Sequence, residues 1–228
     1  GCRLARFSHI KLVGSDDILA PFATDLLLRR MAEAQVGAIY ALQYYYQRPE
    51  DIRFDRAAAE AATPRVVEDR LYEAMRQNFS GTTATMFRRD AFIEGGGCDS
   101  RVFAEDFSLC LRICRNYPIA MLEAVLAYGP AEDPNRIMTG SKNQLLHDYN
   151  AAIYWFMRDH PDLPMRHKRM AFQRCAGRAW KWAFREEGRR WFSKYWWLNT
   201  ASYLPFGVDP VAGTGETAKD LGRNVPVY

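Results

Sequence analysis

Hydrophobic and polar positions follow two different periods along the first half of the chain. Short runs rich in aromatic and aliphatic residues predict β-strands over residues 9–13, 37–46, 82–87 and 119–128. Between these runs, apolar residues at helical spacing predict helices over residues 68–77, 89–94 and 105–115. Because strands and helices alternate, this half of the chain predicts an α/β fold built on a sheet.

A further helix is predicted directly after Asp17, between the first two strands. Ile18, Phe22, Leu26 and Met31 recur near helical spacing. Asp17 belongs to the residue types that cap helix N-termini. The sequence therefore predicts a strand, a turn and a helix in immediate succession.

The pattern changes beyond Gly129, where no further strand is predicted. Helical spacing predicts helices over residues 142–158, 166–187 and 189–199, and the glycine-rich segment from Pro205 predicts a loose, peripheral tail. In the first half, residues 48–64 are polar and weakly periodic and predict a surface connection. The predicted organisation is an α/β domain over residues 1–130, a helical region over residues 131–204 and a tail over residues 205–228.

Composition places the chain among ordinary globular proteins. Hydrophobic residues make up 48% and charged residues 25% of the 228 positions, which argues against disorder. The five cysteines form no CxxC pair, so neither a zinc ribbon nor a disulfide framework is indicated, and a reducing cytoplasm is predicted. Cys110 and Cys114 lie four residues apart on a predicted helix and are expected to pack in the core as small apolar groups.

Export and membrane insertion find no support in the sequence. No segment approaches the roughly 20 continuous apolar residues of a membrane span, and the first residues lack the apolar segment of a signal peptide. A cytoplasmic location follows as the expectation, with peripheral contact to the inner face of the membrane as an option.

Two acidic clusters carry the candidate chemistry. Asp16 and Asp17 follow the first predicted strand, where carboxylates can hold a hard divalent cation against a diphosphate. Glu105 and Asp106 open a predicted helix, and a carboxylate at such a position can take a proton from an attacking hydroxyl. Each pair also has a structural explanation, because acidic residues cap helices and complement the helix dipole.

Four segments, taken in order, carry a family resemblance. They are residues 12–21 (Leu-Val-Gly-Ser-Asp-Asp-Ile-Leu-Ala-Pro), 78–81 (Asn-Phe-Ser-Gly), 86–99 (from Met-Phe-Arg-Arg-Asp to Gly-Gly-Gly-Cys-Asp) and 103–112 (Phe-Ala-Glu-Asp-Phe-Ser-Leu-Cys-Leu-Arg). The first resembles the DxD segment of family 2 glycosyltransferases of the GT-A fold, the next two resemble the acceptor-side segment, and the last resembles the Glu-Asp motif. The resemblance runs from about His9 to Tyr128.

This resemblance implies a fold and a reaction. The fold is a partial GT-A mixed sheet with helices, followed by a C-terminal helical region. The reaction is metal-assisted transfer of a sugar, with inversion, from a nucleotide-diphosphate donor to a saccharide or lipid-linked acceptor, as in cell envelope polysaccharide biosynthesis. Family members place further strands of the nucleotide-binding half ahead of the DxD segment, so the resemblance also implies that this half is absent here.

The resemblance assigns roles to individual residues. Asp16 would bind the divalent metal, Mn or Mg, while Gly14 stands where the family has the first Asp of the motif. Asp106 would be the catalytic base and Glu105 would orient the acceptor, which requires Asp16 and Asp106 to lie at the rim of a shared cleft. Two substrate-binding positions complete the set. They are Gly81, where substrate would approach the backbone closely, and Arg136, which would screen the diphosphate unless it is a solvated loop residue.

A basic and aromatic helix near the C-terminus offers a second hypothesis. Arg174, Arg178, Lys181 and Arg185 fall on one helical face, and tryptophans follow at positions 191, 196 and 197. Such a face could lie on an anionic membrane surface, or its apolar side could simply pack on the sheet domain. The alternative to an enzyme is thus a noncatalytic membrane-surface or protein-interaction module. Nucleic acid is not predicted as a partner, because the net charge is only +4 and no recognition motif accompanies the helix.

Overall fold

The computed structural model describes residues 2–77, 79, 82–131, 142–186, 188, 191–204 and 206–219. The chain forms two units. The first comprises residues 1–74, 78–98 and 109–135, and the second comprises residues 75–77, 99–108 and 136–228. The helix that begins at Glu105 starts within the second unit and continues into the first.

The first unit is built on a mixed sheet. Its strands are β1 (His9–Lys11), β2 (Ile18–Leu19), β3 (Ala38–Tyr46), β4 (Arg65–Val66), β5 (Thr85–Arg88) and β6 (Ile119–Pro130). The strand order is β1-β5-β3-β6-β2, and β4 also pairs with β6. Among the described strands, β3 and β6 are parallel and the other pairs are antiparallel. The prediction of a mixed α/β sheet is confirmed.

The helices that accompany this sheet are α1 (Ala23–Ala34), α2 (Arg56–Ala61), α3 (Arg70–Arg76), α4 (Arg89–Glu94) and α5 (Glu105–Asn116). The last three lie close to their predicted positions. After α4 the backbone turns through Gly96 and Gly97, whose φ angles of 80° and 73° are positive, a conformation that glycine adopts without steric cost.

The core of the first unit forms where α1 covers the sheet. Leu26, Leu27 and Met31 of α1 are buried against Ile39 and Leu122 of the two parallel strands. Removing such apolar surface from water stabilises the fold by about 25 cal/mol per Å².

The two cysteines of α5 pack as the sequence predicts. Cys110 and Cys114 are buried, and their Sγ atoms lie 3.9 Å apart. Burial raises the pKa of the Cys114 thiol, because the charged thiolate is disfavoured away from water. The predicted packing of these thiols in the core is confirmed.

The second unit is helical. Its helices are α6 (Lys142–Asp159), α7 (Met165–Glu186), α8 (Lys194–Ser202) and α9 (Pro210–Lys219). Ser193 caps α8 by accepting the N–H of Trp196 at 3.3 Å, so this helix begins later than the predicted start at residue 189. In the part of the chain that the structure describes, none of the helices is long and apolar enough to cross a membrane.

The segment predicted as a loose tail contains a packed helix. Within α9, Gly213, Thr214 and Gly215 are buried. A Cβ atom at Gly213 would lie 2.6 Å from the ring of Phe172, and one at Gly215 would lie 2.8 Å from the ring of Tyr154. The glycines therefore let α9 approach α6 and α7 closely, and the prediction of a loose tail is wrong for these ten residues.

The predicted start of the first helix is wrong. Ile18 and Leu19 form β2, which pairs with Ala127 and Tyr128 of β6. Helix α1 begins only at Ala23, after an N-cap residue whose side chain makes no capping hydrogen bond. Pairing with a long strand satisfies backbone groups that a helix would otherwise have satisfied, so the local helical spacing is overridden.

The predicted surface connection over residues 48–64 is also more ordered than expected. A 3₁₀ turn spans Pro49–Asp51. Helix α2 follows, and the side chain of Asp55 caps it by accepting the N–H of Ala58 at 2.9 Å. Such a cap satisfies a backbone donor that the first helical turn leaves free.

Candidate functional site

Asp16 and Asp17 lie in a tight turn between β1 and β2. The N–H of Asp17 donates to the carbonyl oxygen of Gly14 at 3.2 Å, which closes the turn. Both acidic side chains are half-buried. The predicted location at the end of the first strand is thus correct, although a second strand follows the turn and Asp17 does not cap a helix.

Thr83 connects this turn to the neighbouring part of the sheet. It is fully buried, and its Oγ1 accepts the N–H of Gly14 at 2.8 Å. Its hydroxyl donates to the carboxylate of Asp17, and its carbonyl oxygen accepts from the ammonium group of Lys11. One threonine therefore holds the strand that precedes the turn, the start of the turn and one of its carboxylates.

Gly14 leaves space into which both carboxylates point. A Cβ atom at this position would lie 2.6 Å from Oδ2 of Asp17 and 3.3 Å from Oδ1 of Asp16. Since the Asp17 carboxylate accepts a hydrogen bond from the Thr83 hydroxyl, it has little freedom to move away from a side chain at position 14. The glycine at the first position of the acidic motif is therefore what allows two carboxylate oxygens to converge above the backbone.

Lys11 gives this region a measurable pH dependence. Burial lowers the pKa of its ammonium group to about 8 from the ordinary 10.5. Between these two pKa values the unfolded chain binds more protons than the folded one, so the free energy of unfolding rises with pH. We expect Lys11 to contribute a rise of about 1 kcal/mol between pH 8 and pH 9, measured as the difference in pH dependence between the wild type and a variant that lacks this ammonium group.

The Lys11→Met variant should lack this rise, whereas Lys219→Met, which alters an exposed lysine, should keep it. Urea unfolding at the two pH values measures the difference. Burial raises the pKa of Cys175 to about 11 from the ordinary 9.0, so this thiol lowers the free energy of unfolding as the pH rises through about 9. This loss is common to the wild type and both variants and cancels when they are compared. A rise that survives in Lys11→Met would contradict the assignment.

Glu105 and Asp106 form the first turn of α5, as predicted. Glu105 is exposed and Asp106 is half-buried. Oδ1 of Asp106 accepts the N–H of Phe107 at 2.7 Å, so a negative charge complements the positive end of the helix dipole. Ser108 steadies this turn from within, because its hydroxyl donates to the carbonyl oxygen of Glu105 at 2.8 Å.

A buried carboxylate on α6 holds the loop that leads to Asp106. Asp148 is 1% exposed and accepts the N–H of Phe103 at 3.1 Å. It also accepts from Nε2 of Gln144 at 2.8 Å and lies 3.0 Å from Nδ1 of His147. A buried carboxylate is stable only when such donors replace its water, and here one of those donors belongs to the acidic loop.

An arginine clamp holds the start of the same loop. Nε of Arg101 donates to the buried carboxylate of Asp99 at 2.8 Å, and Nη1 donates to Asp159 of α6 at 3.3 Å. Its guanidinium also lies 4.6 Å from the ring centroid of Trp155. The two carboxylates raise the pKa of Arg101 above its ordinary value, so the clamp stays charged at every physiological pH.

The acidic turn offers a donor set that suits a cation bound together with a substrate. Among the described residues, no group of three or more His, Cys, Asp or Glu side chains could hold a metal ion. Magnesium, however, is commonly bound by one or two carboxylates together with substrate phosphates and water. The converging oxygens of Asp16 and Asp17 fit that chemistry, whereas a metal site made of protein ligands alone does not fit.

The structure places the predicted site residues in different parts of the chain. Asp16 belongs to the first unit, and Glu105 and Asp106 belong to the second. Gly81 and Arg136 lie outside the residues that the structure describes. The shared cleft that would join the two acidic clusters remains a prediction.

The cavities formed by described residues include one in each unit that is not lined by a predicted site residue. One of about 350 Å³ in the first unit is lined by Arg6, His9, Arg88 and Asp90, among others. One of about 270 Å³ in the second unit is lined by Met165, Phe172, Leu204 and Pro210, among others. Asp90 lines the first cavity and Asp209 the second, but neither cavity is lined by Asp16, Glu105 or Asp106.

Sequence reasoning did not find Lys11, Thr83 or Asp148. Lys11 and Thr83 are more than 70 positions apart, and the antiparallel pairing of β1 with β5 brings Lys11 close to the residues that precede β5. The sequence does contain a weak indication of the role of Asp148, because this carboxylate lies on the same side of α6 as the buried Ala152. A charged residue on an apolar helical stripe indicates a buried hydrogen-bonding role.

Comparisons with solved structures identify the kind of fold. Neither a protein-family model nor a curated protein sequence matches the chain. The fold is similar to that of the glycosyltransferase TarS from S. aureus. TarS 1–349 in complex with UDP-GlcNAc matches with a TM-score of 0.58 and 12% identity, over 99% of this chain and 60% of that chain.

Two further TarS structures are similar to this chain in fold. A second structure of TarS 1–349 matches with a TM-score of 0.55 and 11% identity, over 96% of this chain and 60% of that chain. Another TarS structure matches with a TM-score of 0.53 and 11% identity, over 99% of this chain and 35% of that chain. The glycosyltransferase-like fold is therefore established, and the chain spans 60% of the length of TarS 1–349.

Proposed function

We propose that the protein is a glycosyltransferase that moves a sugar from a nucleotide-diphosphate donor to an acceptor hydroxyl with inversion. The observation that carries the proposal is the convergence of Asp16 and Asp17 above Gly14 in a glycosyltransferase-like fold. The complexes of TarS with UDP-GlcNAc and with UDP support a nucleotide sugar as the partner.

In this proposal Asp16 and Asp17 hold a divalent cation, Mn or Mg, against the donor diphosphate. When bound, such a cation neutralises the charge that develops on the leaving diphosphate. Thr83 fixes the Asp17 carboxylate through its hydroxyl, which leaves Asp16 as the principal ligand. Gly14 keeps the space above the turn open for an oxygen of the substrate.

Asp106 is the proposed general base. It would take the proton from the acceptor hydroxyl while that oxygen attacks the anomeric carbon from the face opposite the nucleotide, so the configuration inverts. Glu105 would orient the acceptor, and Gly81 and Arg136 would line the acceptor and diphosphate positions. The proposed acceptor is a saccharide or a lipid-linked saccharide of the cell envelope.

Calorimetry on the protein expressed from its complete gene tests the donor side. We expect Mn²⁺ to tighten the binding of UDP at least about tenfold in the wild type, because the cation bridges carboxylate and diphosphate. Asp16→Asn should lose this dependence. Asp25→Asn, which removes an exposed carboxylate of the same unit, should keep it.

The outcomes separate the parts of the proposal. If the wild type binds UDP with the same affinity with and without Mn²⁺, the metal role of Asp16 is excluded. Failure to bind UDP and every other nucleoside diphosphate would end the transferase proposal.

A further inference from the structure

Helix α7 presents cationic side chains that have no carboxylate partner in the described residues. Arg174, Lys181 and Arg185 are exposed and Arg178 is half-buried. With about 100° of rotation per residue, all four fall within one sixth of the helix circumference. They are called the cationic stripe below. Among the ion pairs between described residues, none includes a member of this stripe.

Within the described residues, two other cations of the same unit are paired with carboxylates, unlike the members of the stripe. Lys194 pairs with Glu216 at 3.1 Å, and Arg101 pairs with Asp99 at 2.6 Å. Within the stripe, Arg178 donates to the side-chain oxygen of Asn150 at 2.6 Å, and burial lowers its pKa. The three exposed members are therefore available to an external anion.

Exposed aromatic side chains follow the stripe in sequence. Trp191, Phe192 and Trp197 are 61%, 71% and 56% exposed, and together with Trp196 they form the aromatic cluster. The ring of Phe192 lies 5.0 Å from that of Trp196, and the rings of Trp196 and Trp197 lie 4.6 Å apart. Single exposed apolar residues are common, but a contiguous group indicates a binding surface.

The backbone at Phe192 supports a role for this exposure. Its φ angle is +68°, a left-handed conformation that is uncommon for a residue with a bulky side chain. Such conformations persist where the surrounding structure demands them, and they concentrate at functional positions. Here the conformation places the ring of Phe192 beside the two tryptophans of α8 and leaves it largely exposed.

The stripe and the cluster belong to one packed assembly of helices. Ala179 and Ala183 of α7 form a core with Tyr195 of α8. Trp180, which precedes Lys181, contacts Trp191 with ring centroids 6.3 Å apart. Phe184, which is 44% exposed, lies on the same flank of α7 as Trp180. The cations and the exposed rings are therefore carried by one set of helices that pack against each other in the second unit.

We propose that the cationic stripe and the aromatic cluster bind the surface of an anionic phospholipid bilayer. Arginine and lysine pair with anionic headgroups, and tryptophan rings settle at the level of those headgroups because they are apolar with one polar edge. A protein or nucleic-acid partner would explain the charges, but exposed tryptophans carried by the same packed helices match the chemistry of the membrane interface. This proposal does not depend on the transferase function.

Cosedimentation of the full chain with vesicles tests the proposal. We expect binding to phosphatidylcholine vesicles that contain phosphatidylglycerol to be at least about tenfold tighter than to phosphatidylcholine alone, and to weaken as salt is added. Lipids with a brominated acyl chain should quench the tryptophan fluorescence, because the rings enter the interface.

Three variants make the test specific. The first variant combines Arg174→Gln, Lys181→Gln and Arg185→Gln, and its affinity for anionic vesicles should fall at least about tenfold. The control variant combines Arg29→Gln, Arg48→Gln and Arg56→Gln, which removes the same charge from exposed positions of the first unit. Its affinity for these vesicles should not fall. The change Trp191→Ser, Phe192→Gly, Trp197→Ser should abolish the quenching. Circular dichroism confirms that each variant is folded.

Several results would overturn the proposal. Equal losses in the two charge variants would show a nonspecific effect of net charge. Equal binding to neutral and anionic vesicles would exclude recognition of headgroup charge. If the protein binds an RNA or DNA duplex but not vesicles, the surface belongs to a nucleic-acid partner. If it does not bind vesicles and self-associates in a way that the aromatic variant abolishes, the surface is an interface between copies of the chain.

Discussion

The Asp106→Asn variant is expected to transfer sugar about 10²- to 10⁴-fold more slowly than the wild type, the range typical for loss of a general base. The amide is nearly the same size as the carboxylate and keeps an oxygen that can accept the N–H of Phe107. It cannot take a proton from an acceptor hydroxyl at neutral pH. The substitution should therefore lower kcat and change the KM for the donor little.

Release of nucleoside diphosphate from a nucleotide sugar, measured with the complete protein, gives the rates. Glu123→Gln removes an exposed carboxylate from β6 and serves as the matched control. Stability should change by about 1 kcal/mol in Asp106→Asn, because the amide no longer places a negative charge at the positive end of the helix dipole. A variant that retains the wild-type kcat would exclude Asp106 as the base.

The second large effect is expected at Asp148. Replacing it with Ala should lower the free energy of unfolding by about 3 kcal/mol or more, because buried donors lose their acceptor and each such loss is costly. The affected donors belong to Phe103, Gln144 and His147. Urea unfolding measures this change. Asp25→Ala, at an exposed ion pair, should stay within about 0.5 kcal/mol of the wild type.

The Asp148→Asn variant separates stability from positioning. Its amide keeps one acceptor oxygen, so we expect it to fold and to recover part of the lost stability. Because the loop with Asp106 would then be held less firmly, kcat should fall while the KM for the donor changes little, and the apparent pKa of the pH–rate profile should shift. A purely structural residue would leave the pH–rate profile of the folded variant unchanged.

Much of the fold could be predicted because it follows from local patterns. The aromatic run of β3 (Ala38–Tyr46) and the apolar run of β6 (Ile119–Pro130) read as strands, and they form the parallel pair of the sheet. The spacing of Cys110 and Cys114 predicted a buried helical face. In each case a residue pattern repeats within one element, so neighbours in sequence carry the signal.

Predictions failed where a distant segment decided the outcome. Ile18 and Leu19 have helical spacing with later residues, but they form a strand because they pair with Ala127 and Tyr128 of β6. Glycines that look like markers of a loose tail instead sit inside α9, where the rings of Phe172 and Tyr154 lie too close for a side chain. Local propensity is weak compared with such tertiary contacts.

By itself, the sequence determined the alternation of strands and helices, the positions of both acidic clusters and the basic face of α7, because each depends on residues a few positions apart. Only the tertiary structure decided that Thr83 bonds Gly14 and Asp17, and that Asp148 holds the loop before Asp106. These contacts join segments from 45 to 69 residues apart. They form because buried polar groups must find partners wherever the fold brings them together.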